Sequence, residues 1–170
     1  GWIEDPRPLW RESLRRLEKK LARLGPDVEE RRNKLKRLAR RTLGKRLYIY
    51  SASGPMSAVA LRWRQQLNEN SKRHAVQALV PELSHNEIVG WQATRRTLGR
   101  AFVVLLRDRN DSTRERQRLD HLTSLLTRAG TKPVVFEEDG PHPLVRMALG
   151  VQTGDLLSVY AAFAGGVDPT

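Results

Sequence analysis

Residues 47–55, LYIYSASGP, decide the fold. Leu47, Tyr48, Ile49 and Tyr50 stand between the charges of Lys45 and Arg46 and a Ser/Gly loop, the pattern of a short strand buried on both faces. Pro55 suits the first turn of a helix, where a missing N–H costs nothing. The following MSAVALRWRQQLNENSK (56–72) places Val59, Ala60, Trp63 and Leu67 on one helical face. Strand, loop and helix then recur: VQALV (76–80) with a helix begun by SHNE, AFVVLL (101–106) with a helix from Ser112 to Ala129, and PVVF (133–136) with a helix near Pro143 to Leu149. A last helix is expected from Thr153 to Ala164. Short all-apolar strands alternating with helices indicate a parallel sheet covered on both faces, so the expected fold is α/β, a three-layer doubly wound parallel sheet.

Upstream of this pattern lies most of the charge. Between Arg11 and Arg46 there are fifteen Lys and Arg against five Asp and Glu, which accounts for most of the net charge of +12. Leucines spaced by three and four through SLRRLEKKLARL and NKLKRLARRTLGKR predict two amphipathic helices with solvated basic faces. Gly25-Pro26 would end the first of them, so residues 1–30 are expected to form a helical extension and 31–170 the main domain. A groove for RNA would interleave aromatic rings with the charge, and none stands between Trp10 and Tyr48, which makes nucleic acid a distant third reading. Cysteine is absent, excluding disulfides and thiolate sites, and His74, His85, His121 and His142 lack metal-ligand spacing, so no structural metal is expected. Without a membrane-length apolar run or a signal-peptide pattern, the chain reads as cytoplasmic with no membrane partner.

Open parallel sheets bind ligands at the carboxyl ends of their strands, which draws attention to the loops after LYIY and VQALV. SASGP, with Ser51 and Ser53, could hold a phosphate at a helix N-terminus, or could equally be an ordinary turn with Ser53 as its cap. SHNE (84–87) fits a capping box of Ser84 and Glu87, leaving His85 in the first helical turn, where the dipole favours a neutral imidazole. Glu69 is expected near the C-terminal end of its helix beside Lys72, where the negative dipole end disfavours the charged carboxylate and suits a base. A surface histidine and a solvated helix-end glutamate are the plainer readings of both. LRDRNDSTRERQRLD (106–120) is read as a strand end, a turn and an exposed helix without chemistry.

Four segments in order, RWRQQLNENSK, VPELSHNEIVGW, LLRDRNDSTRERQR and GDLLSVYAAFAGGVDPT, resemble the second sugar-isomerase (SIS) domain of bifunctional phosphoglucose/phosphomannose isomerases, from about Asn33 to Thr170. The resemblance implies reversible isomerisation of glucose or mannose 6-phosphate and fructose 6-phosphate through a cis-enediolate, with no cofactor. It implies Glu69 as the base moving a proton between C1 and C2, and His85 as the group assisting ring opening in the site of a neighbouring subunit, hence a homodimer. Substrate contacts are expected at Ser51, Ser53, Arg62, Lys72 and Thr170. The family's first SIS domain supplies a Ser/Thr phosphate loop and an Arg, and a last helix beyond DPT carries a Lys, none of which this sequence matches. The alternative is a non-catalytic SIS module that binds sugar phosphates for regulation.

Overall fold

Four parallel strands lie in the order β2-β1-β3-β4: β1 (Arg46–Ala52), β2 (Ala75–Val80), β3 (Ala101–Arg107) and β4 (Val134–Glu137). The computed structural model describes residues 5–92 and 99–170. The LYIY strand is flanked on both sides, with Tyr50 in register with Ala78 of β2 and Leu105 of β3. That central place explains its lack of polar alternation, because both of its faces are covered.

Alternate residues divide between two cores. Leu47, Ile49, Phe102 and Val104 pack with α2 (Lys34–Thr42), α3 (Pro55–Ser71) and the C-terminal helix, whereas Tyr50, Ala52, Val103 and Leu105 pack against the helix Thr113–Arg128. Among the described residues the helices are α1 (Arg7–Leu24), α2, α3, a single turn α4 (Glu87–Gly90), α5 (Thr113–Arg128) and α6 (Pro143–Ala164).

Two helices expected at 143–149 and 153–164 are one: α6 runs through 22 residues. Its glycines do not break it, because they serve a close helix approach. A Cβ on Gly154 would lie 2.3 Å from the Trp63 indole, and one on Gly150 2.9 Å from Val59. Trp63 Nε1 donates to the Gly150 carbonyl at 2.7 Å, so α3 and α6 meet backbone to ring.

The Gly25-Pro26 boundary coincides with the end of α1, where Gly25 caps the helix. The turn into α2 is nonetheless built into the core. Buried Asn33 accepts from Leu35 N and Lys36 N, and its amide donates to the carbonyls of Leu24 and Gly25. Tyr160 of α6 donates to the Leu24 carbonyl at 2.6 Å.

The capping box expected at Ser84 and Glu87 does not form. Ser84 ends a short 3-10 turn (Glu82–Ser84), and Asn86 caps α4 by accepting from Glu87 N. A complete capping box forms instead at Ser112 and Glu115, opening α5.

Candidate functional site

The sheet places the candidate residues at two separate edges. Ser51 and Ser53 lie in the segment leaving β1, and His85 follows the 3-10 turn after β2, both at the carboxyl edge. Helix α3 starts from that edge and runs back to the start of β2. At about 1.5 Å per residue, its 17 residues carry the chain about 25 Å away. Glu69 and Lys72, at its far end, are therefore at the amino edge, and the expectation that carboxyl-edge loops hold all of this chemistry is corrected.

At the carboxyl edge Ser51 is fully buried and its hydroxyl has no hydrogen-bond partner among the described residues. Ser53 is exposed and donates to the Val80 carbonyl at 3.1 Å, while Gly54, at φ +108°, takes the N-cap position of α3 that was expected of Ser53. The loop thus ties β1 to β2. His85 is not in the first turn of a helix. It precedes a helix of four residues, its backbone N–H donates to Glu82, and its exposed ring makes no hydrogen bond among the described residues. A carboxylate holds this segment in place: Tyr50 donates its phenol to Glu87, and Trp91 Nε1 donates to the Tyr50 oxygen at 3.2 Å. Burial first, and then the Glu87 hydrogen bond, push the Tyr50 pKa well above the ordinary phenol range. Sequence reasoning missed this contact, because it joins a strand residue to one 37 positions away.

At the amino edge Glu69 is exposed and makes neither hydrogen bond nor ion pair among the described residues, so its lone pairs are open to a ligand. It lines an open cleft of about 630 Å³ with Arg64, Asn68 and His74. His74, given no role from the sequence, is brought there because the chain turns at Lys72, which adopts a left-handed conformation at φ 51°. Lys72 Nζ donates to the Thr170 carbonyl at 3.2 Å, joining two of the expected substrate contacts. Thr170 itself donates through N and Oγ1 to Asp168, whose carboxyl these bonds hold below its usual range. Arg62 lies further up the helix and is engaged by Asp155 of α6 at 3.1 Å. The Asp155 hydrogen bonds raise the Arg62 pKa, and the charge of Glu69 adds to the effect, which puts the two groups within electrostatic reach.

The arrangement is an unpaired carboxylate flanked by cations at a helix end, with a free imidazole on the opposite edge. No group of His, Asp or Glu suited to a metal ion occurs among the described residues. No described helix is long and apolar enough to cross a membrane.

The family model for the bacterial phospho-glucose isomerase C-terminal SIS domain matches residues 31–170. A bifunctional phosphoglucose/phosphomannose isomerase of Caldicellulosiruptor bescii is 34% identical over 170 residues, all of this chain and 50% of that protein. The protein of the same name from Aquifex aeolicus is 35% identical over 148 residues, 86% of this chain and 45% of its own. The chain thus spans about half the length of these relatives. Among solved structures, a glucose-6-phosphate isomerase-like protein from Thermus thermophilus shares the fold at a TM-score of 0.75 and 19% identity, over 94% of this chain and 53% of that one. The C-terminal domain of a glucosamine-fructose-6-phosphate aminotransferase from Francisella tularensis follows at 0.62 and 16%, over 96% and 44%.

Proposed function

The chain belongs to the family of bacterial phosphoglucose isomerase C-terminal SIS domains, and we propose that it is the half of a glucose/mannose 6-phosphate isomerase that carries the proton-transferring carboxylate. The observation that carries this reading is Glu69: exposed, unpaired among the described residues, at a helix end, with Lys72 three residues on and Arg62 within electrostatic reach. A base that shuttles a proton between C1 and C2 of an open-chain sugar needs open lone pairs and nearby cations to settle an enediolate's charge. Lys72 and Thr170 would face the substrate beside it, and Arg62, held by Asp155, would fix the field. His85 would assist ring opening in the site of a neighbouring copy, since an α3 length separates it from Glu69 in its own chain. A homodimer and a cytoplasmic place of action accompany this reading.

The second reading is a sugar-phosphate-binding module without turnover; the SASGP loop does not separate the two, since Ser51 is buried and Ser53 already serves the Val80 carbonyl. Fructose 6-phosphate isomerisation, followed for both aldose products with Glu69→Gln alongside, tests the choice. Loss of about 10² to 10⁴ in turnover with unchanged ligand affinity is the isomerase outcome, because a base acts mainly in the transition state. Equal binding by both proteins and no turnover in either leaves a binding module or an incomplete enzyme.

A further inference from the structure

The basic N-terminal segment has no part in the isomerase reading, and the fold gathers its charge into a cleft of about 430 Å³ between α1, the turn into α2 and the carboxyl end of β4. That volume lies within the range of small-molecule sites. Six cations line it: Arg16, Lys19, Lys20 and Arg23 from α1, Arg32 from the turn and Lys34 from the start of α2. Three carboxylates, Glu137, Glu138 and Asp139, line the same cleft, so positive charge is in excess.

The pairing within the cleft is selective. Lys20, whose side chain is only 14% exposed, is anchored to Glu138, to Thr153 Oγ1 and to the Leu149 carbonyl. Arg16 reaches Asp139 at 3.4 Å and is also engaged by Glu12. By contrast, the side chains of Lys19, Arg23, Arg32 and Lys34 make no hydrogen bond or ion pair among the described residues. Burial pushes the Lys20 pKa down against the pull of Glu138, and the like charge of Lys34 adds to the depression. Lys34 lines the same cleft as Lys20.

Like charges crowded around a cavity are a standing cost that a counter-anion relieves. Two guanidinium groups offer planar forks that match phosphate oxygens, and two ammonium groups act as point charges beside them. None of the lining residues is aromatic, so nothing there would stack a base, which disfavours nucleosides and RNA. Leu24 and Leu149 supply the apolar part of the lining. None of these residues is assigned to the proposed isomerase site: the three carboxylates share the carboxyl edge with His85 but lie at the end of β4, at the opposite side of the sheet from β2.

We propose that this cleft binds a small linear polyphosphate, which bridges α1 and the start of α2. The inference stands apart from the isomerase reading, since it concerns binding and needs no turnover. Its test is calorimetric titration of the 170-residue chain with inorganic tripolyphosphate at physiological ionic strength, with sulfate as comparison. The expected result is saturable binding of one tripolyphosphate per chain, much tighter than sulfate. Affinity should fall about tenfold or more in Arg32→Gln/Lys34→Gln, equivalent to about 1.4 kcal/mol. A control, Arg114→Gln/Arg118→Gln, removes the same charge from exposed positions on α5 and should keep the wild-type affinity. Circular dichroism matched to wild type confirms that both variants fold. Equal losses in both variants would show a diffuse charge effect and overturn the site. Absence of saturable heat, or competition by fructose 6-phosphate for the same heat, would overturn it as well.

Discussion

Tyr50 and Asp108 show how single buried polar groups set the carboxyl edge. Tyr50 is fully buried and donates to Glu87, so Tyr50→Phe leaves a half-buried carboxylate without its donor. A hydrogen bond to a charged group contributes about 1.5–3 kcal/mol, and thermal unfolding should record a loss of that order. Because the bond pins the segment that carries His85, amide exchange should speed up at residues 82–91 more than in α5. A uniform change across the chain would refute the pinning role. Asp108 directly follows β3 and receives two 2.8 Å bonds from Arg146, both side chains being 1% exposed. Burial works to raise the Asp108 pKa, but the bonds from Arg146 and from the Asn110 N–H outweigh it and hold the carboxyl below its ordinary range. The folded-state pKa being depressed, the stabilisation is present above the unfolded value of about 3.9 and is lost as pH falls through the folded one. Asp108→Asn should cost about 3–5 kcal/mol at neutral pH by leaving Arg146 buried and unpaired. Urea unfolding across a pH series should show this gap narrowing below about pH 4, and a gap that widens there would refute the assignment.

Gly150, which falls between the two helices expected from the sequence, and Gly154 set the packing of α3 on α6. Gly154→Ala improves helix propensity by about 1 kcal/mol, yet its Cβ would collide with the Trp63 ring. Displacing Trp63 also strains its bond to the Gly150 carbonyl. The net expectation is destabilisation of about 1–3 kcal/mol, read from denaturant midpoints. A stabilised variant would mean that the helices separate at no cost. The strands, α3 and α5 were legible because their signals are local: apolar runs, Pro55 at a first turn, and Ser112 three residues before Glu115. The continuity of α6 was not, since a glycine that breaks a helix and one that admits a neighbouring indole read alike in one dimension. The failed capping box at Ser84 has the same origin. Its sequence spacing is correct, but Glu87 is drawn to Tyr50 across the fold.

At the scale of the whole molecule, the two residues proposed for proton transfer are held apart by the architecture. Glu69 and His85 were legible as chemistry, and only the direction of α3 reveals that a single sheet sends them to opposite edges. The side chains at each place are exposed and unengaged among the described residues, and the proposed site draws them from two copies. This makes the division of the site between copies measurable by complementation. Glu69→Gln and His85→Ala should each be nearly inactive when pure. Unfolded together in equal amounts and refolded, they should form mixed dimers in which one of the two sites receives an intact Glu69 from one copy and an intact His85 from the other. In a two-fold dimer with random pairing, half of the dimers are mixed and each has one of two sites restored, so recovery should reach about a quarter of the wild-type activity. Recovery to that level places His85 in the partner's site. Two variants that stay inactive together, while refolded wild type regains full activity, place both groups in one chain's site and require α3 to move.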